Sequence, residues 1–232
     1  MTLGLVLSCE HAGQGVPATL EAAFSSEFMQ ALLASHRGWD AGAAAVGEAL
    51  GASFGVPLLR FDVSRLVVDA NRSVGHRSLH HAAVPPPLRD TLVRTLHAPH
   101  RAAVERTCAD VIADRGAVVH VAVHSFTPTL AGRARPMEIG LLYDPGRPSE
   151  AALCRRWQRA LRRAGVVTTR NLPYRGWTDG LCTHLRRRWP DAAYRGVELE
   201  CRADVVQSRG AAALATLLAQ TLREAIDGEA NP

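Results

Sequence analysis

The sequence contains no lysine, so its positive charge comes entirely from arginine. The 27 basic residues exceed the 22 acidic ones and give a formal net charge of +5 at pH 7. A nucleic-acid-binding surface usually combines clustered cations with a recognition motif. Here the arginines are scattered, and the densest run, Arg186 to Arg188, has no interleaved aromatic residue. We therefore expect this run to be a solvated helix face and expect no nucleic-acid partner.

Cysteine is too sparse to form a disulfide framework or a cysteine zinc site. The 5 cysteines are widely spaced and never form a C-x-x-C pair, the spacing typical of many structural zinc sites. Their odd number also disfavours a fully paired secreted scaffold. We therefore expect a reducing compartment.

Long apolar runs and a basic leader are also missing. The chain opens on a short apolar segment, residues 3–7, with no basic residue before it, which argues against a signal peptide. No apolar run approaches the roughly 20 residues that cross a bilayer. We expect a soluble, cytoplasmic protein with no membrane partner.

Apolar runs and amphipathic segments alternate along the chain, which favours strands alternating with helices. A segment from residue 76, rich in histidine and ending in prolines 85–87, should be irregular because proline disrupts helices. With no repeat or linker, the pattern predicts one α/β domain over residues 1–232, a three-layer sandwich around a mixed sheet. The predicted strands are residues 3–7, 56–61, 118–123, 139–143, 166–169 and 196–201, and the predicted helices are residues 20–33, 42–50, 88–114, 149–164 and 210–226.

Histidines follow two predicted strands at the point where each strand ends. His11 comes after the first strand and His124 after the most apolar one, while Asp40 lies between two predicted helices. Open α/β sheets build their sites at strand ends, and two histidines with one carboxylate suit a catalytic zinc ion. On spacing alone, structural or solvent-exposed histidines remain the alternative.

Two arginines flank an acidic and an amide side chain in residues 64–72. Arg65 and Arg72 carry the planar fork that binds carboxylates bidentately, and Asn71 lies between them. The segment therefore indicates an acidic substrate. The alternative is that Asp69 pairs internally with one arginine and the other points to solvent.

Glu198 and Glu200 lie on the same face of a predicted strand because side chains alternate with a period of two. A partly desolvated glutamate can act as a general base on a water molecule. The alternative is a strand whose polar face meets solvent or arginine. Downstream of the central strand, residues 171–180 form a predicted loop in which Tyr174 or Arg175 contacts substrate, or in which Tyr174 only packs.

Seven segments resemble, in the same order, the successive motifs of the N-formylglutamate amidohydrolase family. They are residues 8–17, the segment around Asp40, and residues 64–72, 123–128, 138–144, 171–174 and 197–202. The resemblance implies the phosphorylase/hydrolase-like α/β fold of the wider zinc carboxypeptidase and aspartoacylase-like group. It also implies a zinc-dependent hydrolase that cleaves an acidic N-acyl substrate, with N-formyl-L-glutamate giving formate and L-glutamate.

The same resemblance implies roles for individual residues. His11 and His124 would bind Zn²⁺, and Glu200 would be the catalytic base. Arg65, Asn71 and Arg72 would hold a substrate carboxylate or polarise the scissile carbonyl, with Arg65 counted among the catalytic residues. The implied substrate-binding residues are Arg65, Asn71, Arg72, Ser125, Tyr174 and Arg202.

The chain departs from the wider group at one metal ligand. That group has a glutamate shortly after the first histidine, whereas residues 12–17 contain no carboxylate. We assign this position to Asp40, with Glu10 as the alternative. Because several deformylases have proline where this chain has Glu10, we expect Glu10 to be dispensable for chemistry. His100 also matches the family, and its predicted helix favours a structural role.

Two other functions stay open at this point. One is a deacylase for another N-acyl amino acid or small peptide-like amide, and the other is a noncatalytic binding module that keeps the fold. The sequence leaves the oligomeric state open.

Overall fold

Strands form where the sequence has its short apolar runs. In the computed structural model, which describes residues 4–228, each predicted strand is present, although residue 3 of the first one lies outside the described range. A short exposed hairpin, β4 with β5, is additional. The strands are β1 Gly4–Cys9, β2 Leu58–Arg60, β3 Val118–Phe126, β4 Thr129–Leu130, β5 Arg133–Ala134, β6 Ile139–Leu142, β7 Thr168–Arg170 and β8 Tyr194–Arg202.

Six of these strands form one mixed sheet in the order β2-β1-β3-β8-β6-β7. The first four strands of that order are mutually parallel, and β6 runs antiparallel to β8. The carboxyl ends of β1, β3 and β8 therefore meet at the same edge of the sheet, where parallel sheets usually carry their sites.

Helices cover both faces of this sheet. They are α1 Glu27–Ala34, α2 Ala43–Phe54, α3 Pro86–Leu92, α4 Ala98–Arg115, α5 Pro148–Arg163, α6 Leu181–Arg186, α7 Ala203–Arg209 and α8 Ala211–Asp227. Side chains of α2, α5 and α8 share one core with the sheet, and side chains of α4 and α6 share another with its opposite face. The predicted three-layer α/β fold is confirmed.

A separate apolar cluster lies at one side of the sheet, under the segments that connect β1 to α4. It joins the 3-10 helix Ala18–Phe24, α1 and α3 to the loop after β2. This cluster fixes residues 64–72, the segment that carries Arg65 and Arg72. None of the helices within residues 4–228 has the length and apolar character needed to cross a bilayer.

Three sequence predictions need correction. The single helix expected over residues 20–33 is a 3-10 helix followed by α1, because Ser26 caps α1 by accepting a hydrogen bond from the Met29 amide. Pro86 and Pro87 begin α3 rather than prevent it, since proline lacks only an amide that is unpaired in a first turn anyway. The helix expected from residue 88 continues through a π-helical turn, Val93–His97, into α4.

The arginine run is only partly solvated. Arg187 and Arg188 are exposed, but Arg186 is buried and its Nε donates to Glu150 Oε1 at 3.0 Å. Arg186 also donates to the backbone carbonyls of Gly176 and Gly196. A buried carboxylate needs such a partner, so the first arginine of the run is a structural cation.

Candidate metal centre and active-site pocket

Three neighbouring strands bring the predicted chemistry together. His11 follows β1, His124 lies inside β3, and Glu200 lies inside β8 directly opposite His124 in the strand register. β3 runs further than predicted, so His124 belongs to the strand itself, as Glu200 does in β8. The strand backbone therefore sets their separation.

His11, Asp40 and His124 form a buried cluster that could hold a metal ion. One ligand atom from each lies within 4.8 Å of the others. Asp40 Oδ2 is 2.9 Å from His124 Nδ1 and 3.3 Å from His11 Nδ1. Two ligand atoms on a tetrahedral zinc ion, each about 2.1 Å from the metal, lie about 3.4 Å apart. The donor types and their spacing therefore fit zinc.

Backbone hydrogen bonds carry Asp40 to the histidines. Its amide donates to the His11 carbonyl at 3.0 Å, and its own carbonyl accepts from Ala43 at the start of α2. Gly42, between them, has φ of 81°, a left-handed conformation that favours glycine. This turn explains how a residue 29 positions from His11 reaches the same site.

Each histidine of the cluster has a second carboxylate behind its ring. His11 Nε2 is 2.7 Å from Asp69 Oδ1, and His124 Nε2 is 3.1 Å from Glu10 Oε2. A carboxylate at one ring nitrogen holds the proton there and leaves the other nitrogen free for a metal. In this arrangement both Nδ1 atoms face Asp40.

These contacts change two readings of the sequence. Asp69 contacts His11 more closely than it contacts the arginines, whose Nε atoms lie 3.9 and 4.0 Å from Asp69 Oδ2. Glu10 lies at the nitrogen of His124 that faces away from Asp40, so it is not the third member of the cluster.

The cluster carboxylates are held in the charged form. Burial opposes the ionisation of Asp40, but the charges of Arg65 and His11 outweigh burial and hold the pKa of this carboxyl well below its ordinary value. Burial also opposes ionisation of Asp69, and the same two partners hold its pKa low. A charged carboxylate is the form that binds a cation.

Arg65 lies at the edge of the cluster. Its Nη1 is 3.3 Å from Asp40 Oδ1, and its Nη2 contacts both nitrogens of the His11 ring. The guanidinium is therefore beside the candidate metal ligands, where a positive charge can act on a carbonyl oxygen.

Glu200 combines burial with an unpaired oxygen. Glu200 is only 5% exposed, and within residues 4–228 no hydrogen bond reaches its Oε2. Burial raises the pKa of the Glu200 carboxyl to about 8, and the negative charges of Asp40 and Glu198 act in the same direction. Such a carboxyl can exchange a proton near neutral pH.

These groups open into a cavity of about 280 Å³, a size suited to an amino-acid-like molecule. Of the residues expected to form a site, ten line it: His11, Asp40, Arg65, Asn71, Arg72, His124, Ser125, Tyr174, Arg175 and Glu200. Five more lining residues are Asp69, Ser78, Thr178, Asp179 and Glu198. Of these five, only Ser78 lies outside the segments that the sequence connected with a site.

The loop over residues 171–180 is anchored at both ends. Asn171 Oδ1 accepts hydrogen bonds from the Tyr143 and Gly176 amides. At the other end, Asp179 accepts from the Ser73 amide at 2.9 Å, and its carbonyl accepts from Arg72 Nη1 at 2.5 Å. The middle of the loop stays exposed, and Tyr174 there belongs to the pocket wall.

Asn71 and Ser125 also have structural partners. Asn71 Oδ1 accepts from the Leu181 amide at the start of α6, which orients its side chain. Ser125 Oγ donates to the Ala41 carbonyl, and its amide is 3.4 Å from Asp40 Oδ2. Both residues hold neighbouring segments in place while lining the cavity.

Arg202 is the predicted substrate contact that the structure does not bring to the pocket. Its Nε donates to Asp204 at 2.7 Å, and its Nη1 donates to the backbone carbonyls of residues 135–137. β8 ends at this residue, and its side chain joins the strand to the segment after β5.

Comparisons with known proteins agree with this fold. A family model described as N-formylglutamate amidohydrolase matches residues 3–206. A crystal structure of a gene product from Agrobacterium tumefaciens is 29% identical, with a TM-score of 0.81 over 98% of this chain and 92% of that one. The crystal structure of N-formylglutamate amidohydrolase from Ralstonia eutropha is 18% identical, with a TM-score of 0.66 over 100% of this chain and 96% of that one.

No curated protein sequence shows significant similarity to the chain. The family model nevertheless spans the strands, the metal cluster, the arginine segment and Glu200, so the match includes every part of the site described above. The activity it carries is hydrolysis of an amide bond, as the sequence motifs implied. The chain belongs to the N-formylglutamate amidohydrolase family.

Proposed function

We propose that the chain is a zinc-dependent hydrolase that releases formate from N-formyl-L-glutamate, with zinc bound by His11, Asp40 and His124. One observation carries the proposal: the buried His/Asp/His cluster lies beside an unpaired, buried glutamate at the base of an arginine-lined cavity. Nitrogen and carboxylate ligands in a three-residue set suit catalytic zinc, which keeps a further position open. A cytoplasmic location belongs to the same proposal and rests on the cysteine usage.

A bound zinc ion would activate a water molecule and polarise the scissile carbonyl. The residues of the chain supply the remaining chemistry. Glu200 accepts a proton from the attacking water and then delivers it to the amine nitrogen of the departing glutamate. The raised pKa of Glu200 favours delivery of the proton to the leaving amine. A cation nearby would lower that pKa and so favour acceptance of the proton from water.

Arg65 is positioned to stabilise negative charge on the carbonyl oxygen. It lies within 3.3 Å of Asp40 and so next to the metal ligands, and a charged donor preorganised at that position stabilises the developing oxyanion more than the neutral substrate.

Arg72 binds a substrate carboxylate. It lines the cavity, and its hydrogen bond to the Asp179 carbonyl fixes the guanidinium in the cavity wall. Six carboxylates lie around the cavity or behind the histidines, so a dianionic substrate needs both zinc and the arginines to bind there. Asn71, Ser125 and Tyr174 complete the wall.

Hydrolysis of a panel of N-acyl amino acids tests the substrate. The panel contains N-formyl-L-glutamate, N-acetyl-L-glutamate, N-formyl-L-glutamine and N-formyl-L-leucine, with product formation followed as free amine. The proposal expects the highest kcat/KM for N-formyl-L-glutamate. A preference for N-acetyl-L-glutamate or for an uncharged side chain would assign the same site to another N-acyl substrate.

A further inference from the structure

Glu10 is a completely buried carboxylate that the proposed reaction does not use. It is 0% exposed, and it directly precedes the candidate ligand His11. Its Oε2 lies 3.1 Å from His124 Nε2, and its Oε1 lies 3.8 Å from His100 Nε2. An anion in such a place is costly unless it is paired.

The neighbours that face Glu10 come from two elements. His124 reaches it from β3, and His100 reaches it from α4, where the His100 ring also packs against Phe61 at 5.2 Å. Within residues 4–228, neither oxygen of Glu10 forms a hydrogen bond of standard geometry, so its contacts with His124 and His100 are close charge contacts. Two imidazoles are therefore the near partners that compensate for burial of this carboxylate.

The position of Glu10 relative to His124 repeats the arrangement on the other side of the cluster. His11 has Asp69 at Nε2 and Asp40 at Nδ1, and His124 has Glu10 at Nε2 and Asp40 at Nδ1. The Asp69 contact is a hydrogen bond, and the Glu10 contact is a close approach of opposite charges. A carboxylate at Nε2 favours the proton on that nitrogen and directs the Nδ1 lone pair inward. Both rings are therefore held for binding through the same nitrogen.

We propose that Glu10 is a positioning residue that holds His124 ready to bind the metal ion, while His100 holds the Glu10 carboxylate in place. This inference rests on the proposed metal centre. It reverses the expectation that Glu10 is dispensable, which rested on the proline that several deformylases have at this position.

The test is the affinity of the metal-free protein for Zn²⁺, measured by competition with a chromophoric chelator. Glu10→Gln keeps the size and shape of the side chain but removes the charged acceptor. Loss of an outer carboxylate partner typically weakens metal binding by about 10- to 100-fold, so we expect the Zn²⁺ dissociation constant to rise by at least about 10-fold. Glu10→Asp restores the charge at a longer distance, and we expect an intermediate value.

Glu150→Gln is the matched control. Glu150 is also 0% exposed, and its charge is paired with Arg186 outside the pocket. The control should lower the melting temperature of the metal-free protein while leaving the Zn²⁺ dissociation constant within about twofold. If Glu10 had a purely structural role, Glu10→Gln would likewise lower the melting temperature and leave the Zn²⁺ dissociation constant within about twofold.

The outcomes separate this inference from the proposed function. If the unmodified protein and Glu10→Gln bind Zn²⁺ equally well, the proposed role of Glu10 is wrong and the proposed metal centre stands. Zinc binding without hydrolysis of any N-acyl substrate would overturn the proposed reaction alone. No Zn²⁺ binding by the unmodified protein would overturn both. If Glu10→Gln does not fold, Glu10→Asp decides, and an unchanged affinity in that variant would overturn the inference.

Discussion

His124 and Glu200 lie opposite each other on the adjacent parallel strands β3 and β8. Neighbouring strands are about 4.8 Å apart, so the backbone alone keeps the candidate metal ligand next to the candidate base. Loop motion does not change this distance. The arrangement allows a proton to move between a water molecule near the metal ligands and the Glu200 carboxylate.

Replacing the proposed base is expected to remove most of the activity. Glu200→Gln keeps the shape of the side chain but cannot accept a proton, and general acid and base catalysis typically contributes about 10²- to 10⁴-fold. We expect kcat for N-formyl-L-glutamate to fall by at least about 100-fold while zinc content stays the same. Steady-state kinetics with elemental analysis of the same sample measures both.

Glu105→Gln is the control for this variant. Glu105 carries the same charge, but it forms surface ion pairs with His184 and Arg188 and does not line the cavity. Its activity should match that of the unmodified protein. A Glu200→Gln variant with unmodified kcat would show that another group moves the proton.

Asp40 is expected to be essential for metal binding. Its carboxylate is the common neighbour of His11, His124 and Arg65. Asp40→Asn removes the negative charge, and an amide oxygen is a poorer ligand for zinc. We expect loss of stoichiometric zinc after dialysis, measured by elemental analysis. Retention of one zinc ion per chain would mean that a different residue, such as Asp69, completes the ligand set.

Arg72 is expected to control substrate binding more than turnover. A charged hydrogen bond contributes about 1.5–3 kcal/mol, so Arg72→Gln should raise KM for N-formyl-L-glutamate by at least about 10-fold and change kcat less. Arg187→Gln removes a charge from an exposed residue outside the pocket and should leave KM unchanged. Equal KM values in the two variants would exclude Arg72 as the carboxylate contact.

The stability of the metal-free protein should depend on the protonation of Glu200. Its pKa rises from an ordinary 4.5 to about 8 on folding, chiefly through burial. At pH values between these two, the folded state therefore binds the proton more tightly than the unfolded state does. The stability that this proton contributes is complete below pH 4.5 and is lost as the pH rises through about 8.

Chemical unfolding of metal-free protein at several pH values between 5 and 8 measures this effect. In the unmodified protein the free energy of unfolding should fall as the pH rises. This slope should exceed that of Glu200→Gln by up to ~1.4 kcal/mol per pH unit. Parallel pH profiles for the two proteins would show that Glu200 titrates at its ordinary pKa.

The sequence predicted the fold well because local patterns encode strands and helices. The apolar run before His124 and the alternation around Glu200 both depend on residues close in the chain, and both elements are present. The ends were less predictable: Pro86 begins a helix because first-turn amides are unpaired in any case. Ser26 divides a stretch whose apolar spacing had indicated one helix.

The site was predictable only in part, because contacts across the chain have no local pattern. The motifs indicated one site for His11, Asp40 and His124, and the structure brings these three residues together. Their roles stay predictions. Glu10 behind His124 depends on how β1 packs beside β3, which no spacing reveals. Arg202 lies two residues after Glu200 and so on the same face of the strand pattern, but its guanidinium donates hydrogen bonds to backbone carbonyls after β5.

Formate release before and after removal of the metal tests the central claim most directly. The purified protein is assayed with N-formyl-L-glutamate, dialysed against a chelator, assayed again, and then restored with one equivalent of Zn²⁺, with metal content measured at each step. The account predicts stoichiometric zinc in the active protein, loss of activity with loss of zinc, and recovery on restoration. Formate release that persists at full rate in the metal-free protein would contradict it.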